Sequence, residues 1–94
     1  MIVRFTLEAL ADIAAIHAYI EASSPRAALR VATRIFAECD RLGEFPQLGH
    51  VGLLPGTFER TVAGLPYIIV HELAENDAVV VLNIFHGAQR REAK

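Results

Sequence analysis

Residues 55–91 read PGTFERTVAGLPYIIVHELAENDAVVVLNIFHGAQRR, and this stretch decides the fold. Phe58 to Val62, Tyr67 to Leu73 and Val79 to Phe85 are rich in β-branched, aromatic and other apolar residues. They are divided by two clusters of turn formers, Gly64-Leu65-Pro66 and Glu75-Asn76-Asp77, so they read as three strands joined by short connections. The last two alternate only weakly and are apolar on both sides, the pattern of strands buried on both faces. The apolar run stops at His86-Gly87 and gives way to a short basic tail.

Upstream the period changes. Ile2 to Phe5 reads as a short strand, and Thr6 offers a hydroxyl to cap a helix that begins at Leu7. Leu10, Ile13, Ile16 or His17, and Ile20 recur at three- and four-residue steps and form its expected inner face. Ser24 followed by Pro25 ends this helix near Ala22 and opens a second. The second runs to about Leu42, with Ala28, Val31, Ile35, Cys39 and Leu42 inside and Gly43 placed to stop it. So short a link makes the two an antiparallel hairpin. Glu44 to Gly56 reads as a loop, interrupted by Pro46, Gly49, Gly52 and Pro55-Gly56. The expected architecture is α+β: a strand, a helical hairpin, then three strands whose sheet the hairpin covers on one face.

Ninety-four residues suit a single domain, 1–94, with one modest core. Hydrophobic residues make up 53% and mean hydropathy is +0.34, rich for so small a chain, so part of the apolar surface is expected to meet a partner. That partner is assigned to the sheet face the hairpin leaves open. A formal charge of −2 argues against a domain-wide nucleic-acid footprint and confines any such contact to a local patch. Cys39 is alone, so no internal disulfide forms, and a reducing compartment follows. Neither a leader pattern nor an apolar run of membrane-spanning length is seen, and the expected location is the cytoplasm.

Arg26, Arg30, Arg34 and Arg41 lie on the second helix within an arc of roughly 80°. This stripe suits an acidic partner segment, although a solvated face with Arg41 paired to Glu8 or Asp12 is the favoured description. His86 ends the last strand and is the one candidate acid or base; with no companion nucleophile in view, a hydrogen bond fixing the strand end is preferred. His71 reads as a partly buried, satisfied histidine. No metal ligand set is present in the spacing, and no phosphate-cradling glycine loop, so no metal and no cofactor are expected. The remaining polar set is Arg60, Asn83, Gln89, Arg90 and Arg91, in which arginines can grip phosphate or carboxylate two-pronged.

The order of elements, the PGT step at 55–57, the Pro66-Tyr67 strand opening and HGAQR at 86–90 resemble the RelE/ParE-type toxins of bacterial toxin–antitoxin pairs, most closely the ParE-type branch. The resemblance implies a helical hairpin on one side of an antiparallel sheet and a cognate ParD-like antitoxin in a hetero-oligomer. It implies inhibition of DNA gyrase by binding, with Arg60, Asn83, His86, Gln89, Arg90 and Arg91 as target contacts. Antitoxin contacts are assigned to Arg26, Arg30, Arg34, Tyr67, Ile69 and His71. The alternatives are a RelE-like ribosome-dependent mRNA endonuclease using His86, Arg60 and Arg90, and an inactive orphan of the same fold. Against the endonuclease, Ile68, Glu59 and Thr61 stand where that branch carries arginine and paired lysines, and no tyrosine follows Tyr67.

Overall fold

Thr6 marks the passage from strand to helix in the computed structural model, which describes residues 1–89. β1 (Ile2–Phe5) leads into it, and α1 (Leu7–Glu21) follows, capped by Thr6 Oγ1 accepting the Ala9 amide at 3.0 Å. Ser24 repeats the device for α2 (Pro25–Glu44), accepting from the Ala27 amide at 3.1 Å with Pro25 at the first helical position.

Two sequence expectations for the helices fail. The buried line of α1 starts at Ala9 and continues through Ile13 and Ile16, while Leu10 is 43% exposed. The hydroxyl of Thr6 donates to the Leu82 carbonyl at 2.8 Å, which draws the first turn close to the sheet, where an alanine fits. Gly43 does not stop α2, which passes through it to Glu44. It is buried where β1 crosses the helix: a Cβ there would stand 2.8 Å from both the Met1 carbonyl oxygen and Val3 Cγ2. The Met1 ammonium donates to the Gly43 carbonyl at 2.7 Å across the same contact.

Five strands form one sheet in the order β1-β5-β4-β3-β2, built from β2 (His50–Val51), β3 (Thr57–Thr61), β4 (Tyr67–Ala74) and β5 (Ala78–His86) with β1. Neighbours are antiparallel except β1 and β5, which run parallel with Val3 opposite Val79 and Phe5 opposite Val81. β2 is an addition to the expected scheme, since the stretch read as loop pairs His50 with Glu59 and Val51 with Phe58. Asn76 and Asp77 turn β4 into β5 with φ of 65° and 57°, a left-handed conformation that short polar side chains tolerate.

Side chains alternate across a strand, so opposite residues share a face. Tyr67, Ile69, Val79, Val81 and Ile84 point to the helices and pack with Ala9, Ile13, Ile35, Cys39 and Leu42. The register places Val70 opposite Asn83 but His71 opposite Val81, leaving Leu82 as an extra residue of a bulge. Beyond it β1 has ended, and α1 takes over the edge of β5: the Asp12 carboxylate accepts the Ile84 amide at 2.9 Å.

The second sheet face was expected to await a partner. Part of it is instead covered by the chain's own segment at 52–54, which is tied down by the Gly52 amide to the Thr57 carbonyl at 2.8 Å and the Leu53 amide to Glu59 Oε2 at 3.3 Å. Thr57, Glu59 and Val70 are buried beneath it, whereas Ile68, Val80 and Phe85 are half-buried and Asn83 is exposed. No helix among the described residues is long and apolar enough to cross a membrane.

Candidate functional site

A groove of about 430 Å³ opens on this second face. Its floor is Thr57 and Glu59 of β3, Val70 of β4, and Asn83 to Phe85 of β5; Leu53 and Leu54 form the rim, and Asp12 enters from α1 around the uncovered edge of β5. Glu59 is only 2% exposed. The groove therefore holds two carboxylates and, among the described residues, no lysine or arginine in its lining. Asp12 uses Oδ2 for the Ile84 amide and for Asn83 Nδ2 at 3.5 Å. The Nε2 of His50 lies 3.8 Å from Glu59 Oε1.

Chemically, such a groove favours a cation and disfavours a phosphodiester. Cleavage of a phosphodiester develops negative charge, which calls for preorganised donors or cations at the reacting atoms. The Asp12 carboxylate in a partly desolvated cleft acts with the opposite sign.

A second, more apolar groove of about 540 Å³ lies at the other end of the helix-facing side, between Ala15, Ile16 and Tyr19 of α1 and Tyr67 and His86 of the sheet. The His86 ring meets Tyr67 edge to face, centroids 5.4 Å apart. Its Nδ1 accepts the Ala88 amide at 3.0 Å, so in the neutral ring the proton sits on Nε2. No carboxylate among the described residues orients the ring, so the arrangement lacks the third member of a nucleophile-base-orienter set.

The other residues singled out in the sequence are dispersed. Arg60 Nε donates to Glu38 Oε2 at 2.6 Å, joining β3 to α2, and its charge is spent inside the fold. Gln89 falls in the short 3-10 turn Gly87–Gln89, and Arg90 and Arg91 lie outside the described residues. Arg26 and Arg30 are exposed on α2 around Leu29. A guanidinium nitrogen of Arg34 donates to the Ala63 carbonyl. Arg41 pairs with neither Glu8 nor Asp12: its Nε stands 3.9 Å from Glu38 Oε2 and its guanidinium 5.7 Å from the Phe45 ring centroid.

Ile69 and His71 have no exposed surface, and Tyr67 has 8%, so in this conformation they present little or nothing to a partner. His71 Nε2 donates to the Pro46 carbonyl at 3.2 Å, its ring stacks on Phe58, and Nδ1 is buried with no partner among the described residues. Burial lowers its pKa below the ordinary 6.5, partly opposed by the bond to Pro46. Burial first, then Asp40 and Glu38, push the Cys39 thiol up to about 12. Among the described residues no group of three or more His, Cys, Asp or Glu is placed to hold a metal.

Sequence reasoning passed over Asp12 as a groove residue. The available signal was a carboxylate set between the apolar Ala11 and Ile13.

Comparison with known proteins places this geometry in a family. A model described as "ParE toxin of type II toxin-antitoxin system, parDE" matches residues 3–91. The protein Y4kP of Sinorhizobium fredii is 39% identical over 88 residues, covering 94% of this chain and 90% of its own. Toxin RelE2 of Caulobacter vibrioides is 38% identical over 85 residues, covering 90% of this chain and 93% of its own. Among solved structures, the chromosomal ParDE toxin–antitoxin system of P. aeruginosa contains a chain of the same fold, with TM-score 0.80 and 22% identity over 92% of this chain and 95% of that one.

Proposed function

The chain belongs to the ParE toxin family of type II toxin–antitoxin systems, and from that premise we propose that it poisons DNA gyrase stoichiometrically by binding and is neutralised by a ParD-like antitoxin in the cytoplasm. The observation that carries the binding mode is the sign of the charge in the sheet groove. Asp12 enters it and no lysine or arginine is among its described lining residues, so a bound mRNA backbone would find a carboxylate where cleavage needs stabilisation. The target contact is assigned to Asn83, His86 and the tail through Gln89, Arg90 and Arg91. Arg60 is withdrawn from it, because its guanidinium is committed to Glu38.

The antitoxin contact is assigned to the outer side of the hairpin. Arg26 and Arg30 flank Leu29, which is 64% exposed, and this pattern suits a segment with acidic positions beside an apolar one. Purified chain then blocks gyrase supercoiling and leaves ribosome-bound mRNA intact; the opposite pair of results rejects the proposal.

The endonuclease reading keeps one specific support, the His86 ring with its Nε2 directed away from the Ala88 bond in a groove shared with two tyrosines. Primer extension on translated mRNA decides it, with His86→Gln as the variant that must abolish cleavage.

A further inference from the structure

We propose that the open edge of β5 between Ile84 and His86 takes an extended segment of the target protein as a short parallel strand, with a basic residue of that segment on one face of the sheet and an aromatic residue on the other.

The backbone supplies the first argument. β1 pairs with β5 only as far as Phe5 opposite Val81, and the chain then turns into α1 at Thr6, so the same edge of β5 runs on without a neighbouring strand. In an antiparallel ladder the amide and carbonyl of one residue point to the same side, and successive residues alternate. The Gly87 amide bonds to the Pro66 carbonyl on the β4 side, and the Ile84 amide points the other way, to Asp12. The Ile84 carbonyl and the His86 amide therefore face the open edge, and among the described residues no hydrogen bond reaches either. An acceptor and a donor two residues apart are what one residue of a parallel strand needs: its amide bonds the first and its carbonyl the second. An antiparallel strand at Ile84 would have to displace Asp12 from the amide.

Side chains supply the second argument. The bonded residue of the added strand lies opposite Phe85, and opposite residues share a face, so its side chain enters the groove of Asp12, Asn83 and Phe85. Asp12 puts a carboxylate there and no lysine or arginine is in the described lining, which favours a basic side chain. The following residue lies opposite His86 and enters the groove of about 540 Å³ between Ile16 and Tyr19 of α1 and Tyr67 and His86 of the sheet, where three rings suit an aromatic side chain. The preceding residue lies opposite Ile84, which is buried in the core cluster, so a small side chain fits. The edge thus reads the order small, basic, aromatic.

Asn83 and His86 belong to the proposed target contact and the antitoxin is assigned to the outer side of the hairpin, so the segment is given to the target. That attribution rests on the proposed function; the strand chemistry does not.

The probe is an acetylated, amidated pentapeptide, threonine-alanine-arginine-tyrosine-threonine, titrated to millimolar concentration into the full chain while backbone amide resonances are followed. The amides of Phe85 and His86 should move most, because the new bonds form at the Ile84 carbonyl and the His86 amide. Exchanging arginine and tyrosine in the peptide, or replacing its arginine by glutamate, should weaken binding. Asp12→Asn, which keeps an oxygen for the Ile84 amide, should weaken the arginine peptide about two- to fivefold. Tyr19→Ala, at a position 81% exposed and so not needed by the core, should weaken it about two- to tenfold. Unmoved resonances, or equal binding of the three peptides, would overturn the inference. So would a dimer in sedimentation that Tyr19→Ala abolishes, because a second copy then holds the edge. DNA gyrase should displace the bound peptide; displacement by the antitoxin alone would overturn the assignment to the target. Supercoiling left intact while the peptide binds with the expected order and charge dependence would reject the gyrase reading and uphold the edge site.

Discussion

Replacing Arg60 by alanine strips the buried carboxylate of Glu38 of its nearest cation, and the structure sets the size of the loss. Glu38 is 8% exposed and its Oε2 receives Arg60 Nε at 2.6 Å. Breaking a fully buried pair by removing one partner costs about 3–5 kcal/mol. Here two features reduce that figure: the Arg60 side chain is 28% exposed, and Arg41 Nε already stands 3.9 Å from the same oxygen. A loss of about 1.5–2.5 kcal/mol follows, between the buried-pair value and that of an ordinary surface pair. For a domain of this length that is a fall in Tm of about 6–20 °C. Thermal and urea unfolding followed by circular dichroism measure it. Glu38→Gln combined with Arg60→Ala should recover part of the loss, because the stranded charge is gone. A loss in Arg60→Ala below about 0.5 kcal/mol, the size of an ordinary surface substitution, would refute the assignment of Arg60 to the interior and return it to the candidate contact surface.

Asp12→Ala removes the acceptor of the Ile84 amide at the uncovered edge of β5 and should cost about 1–2 kcal/mol, while Asp12→Asn costs less; urea midpoints separate the two. His71 is held neutral by burial, so its folded pKa lies below the unfolded value. Stability is therefore retained above about pH 6.5 and falls as pH drops from there toward the lower folded pKa, because the unfolded chain then binds a proton that the folded chain refuses. His71→Gln should flatten the dependence of ΔG on pH between about 7 and 5.5 relative to wild type, and equal slopes would contradict this reading. Cys39 is fully buried with its thiol raised to about 12, so a thiol reagent at pH 8 should label it only at the rate of unfolding; rapid labelling of the native chain would count against the core assignment.

The elements legible in the sequence were those fixed by local chemistry. Thr6, Ser24 and Pro25 announced two helix starts because capping is settled within one turn of chain. Asn76-Asp77 announced the last hairpin because few residues accept its left-handed backbone. What escaped was set by contacts between distant segments. Gly43 reads as a helix stop in isolation and is a crossing point only because Met1 and Val3 lie against it. Leu10 and Ala9 are one residue apart, and the tie from Thr6 to Leu82, 76 residues away, chooses between them. β2 is two residues long, too short for any periodicity, and exists through its pairing with β3.

The site divided in the same way. His86 stood out because it ends an apolar strand, and it does border a groove. Arg60 also stood out, but the neighbour that consumes its charge is Glu38, on a helix 22 residues earlier. Asp12 and Glu59 form one acidic groove only after α1 has replaced β1 along the edge of β5, a juxtaposition that spacing alone does not encode.

The most direct test of a toxin that acts by binding is a titration of DNA gyrase with purified chain at several enzyme concentrations, with ribosome-bound mRNA followed in parallel. The predicted result is loss of supercoiling at an end point that rises in proportion to gyrase concentration and does not change with time, while the mRNA stays full length. Unaffected supercoiling, with mRNA cut progressively by far less than one chain per ribosome, would contradict it.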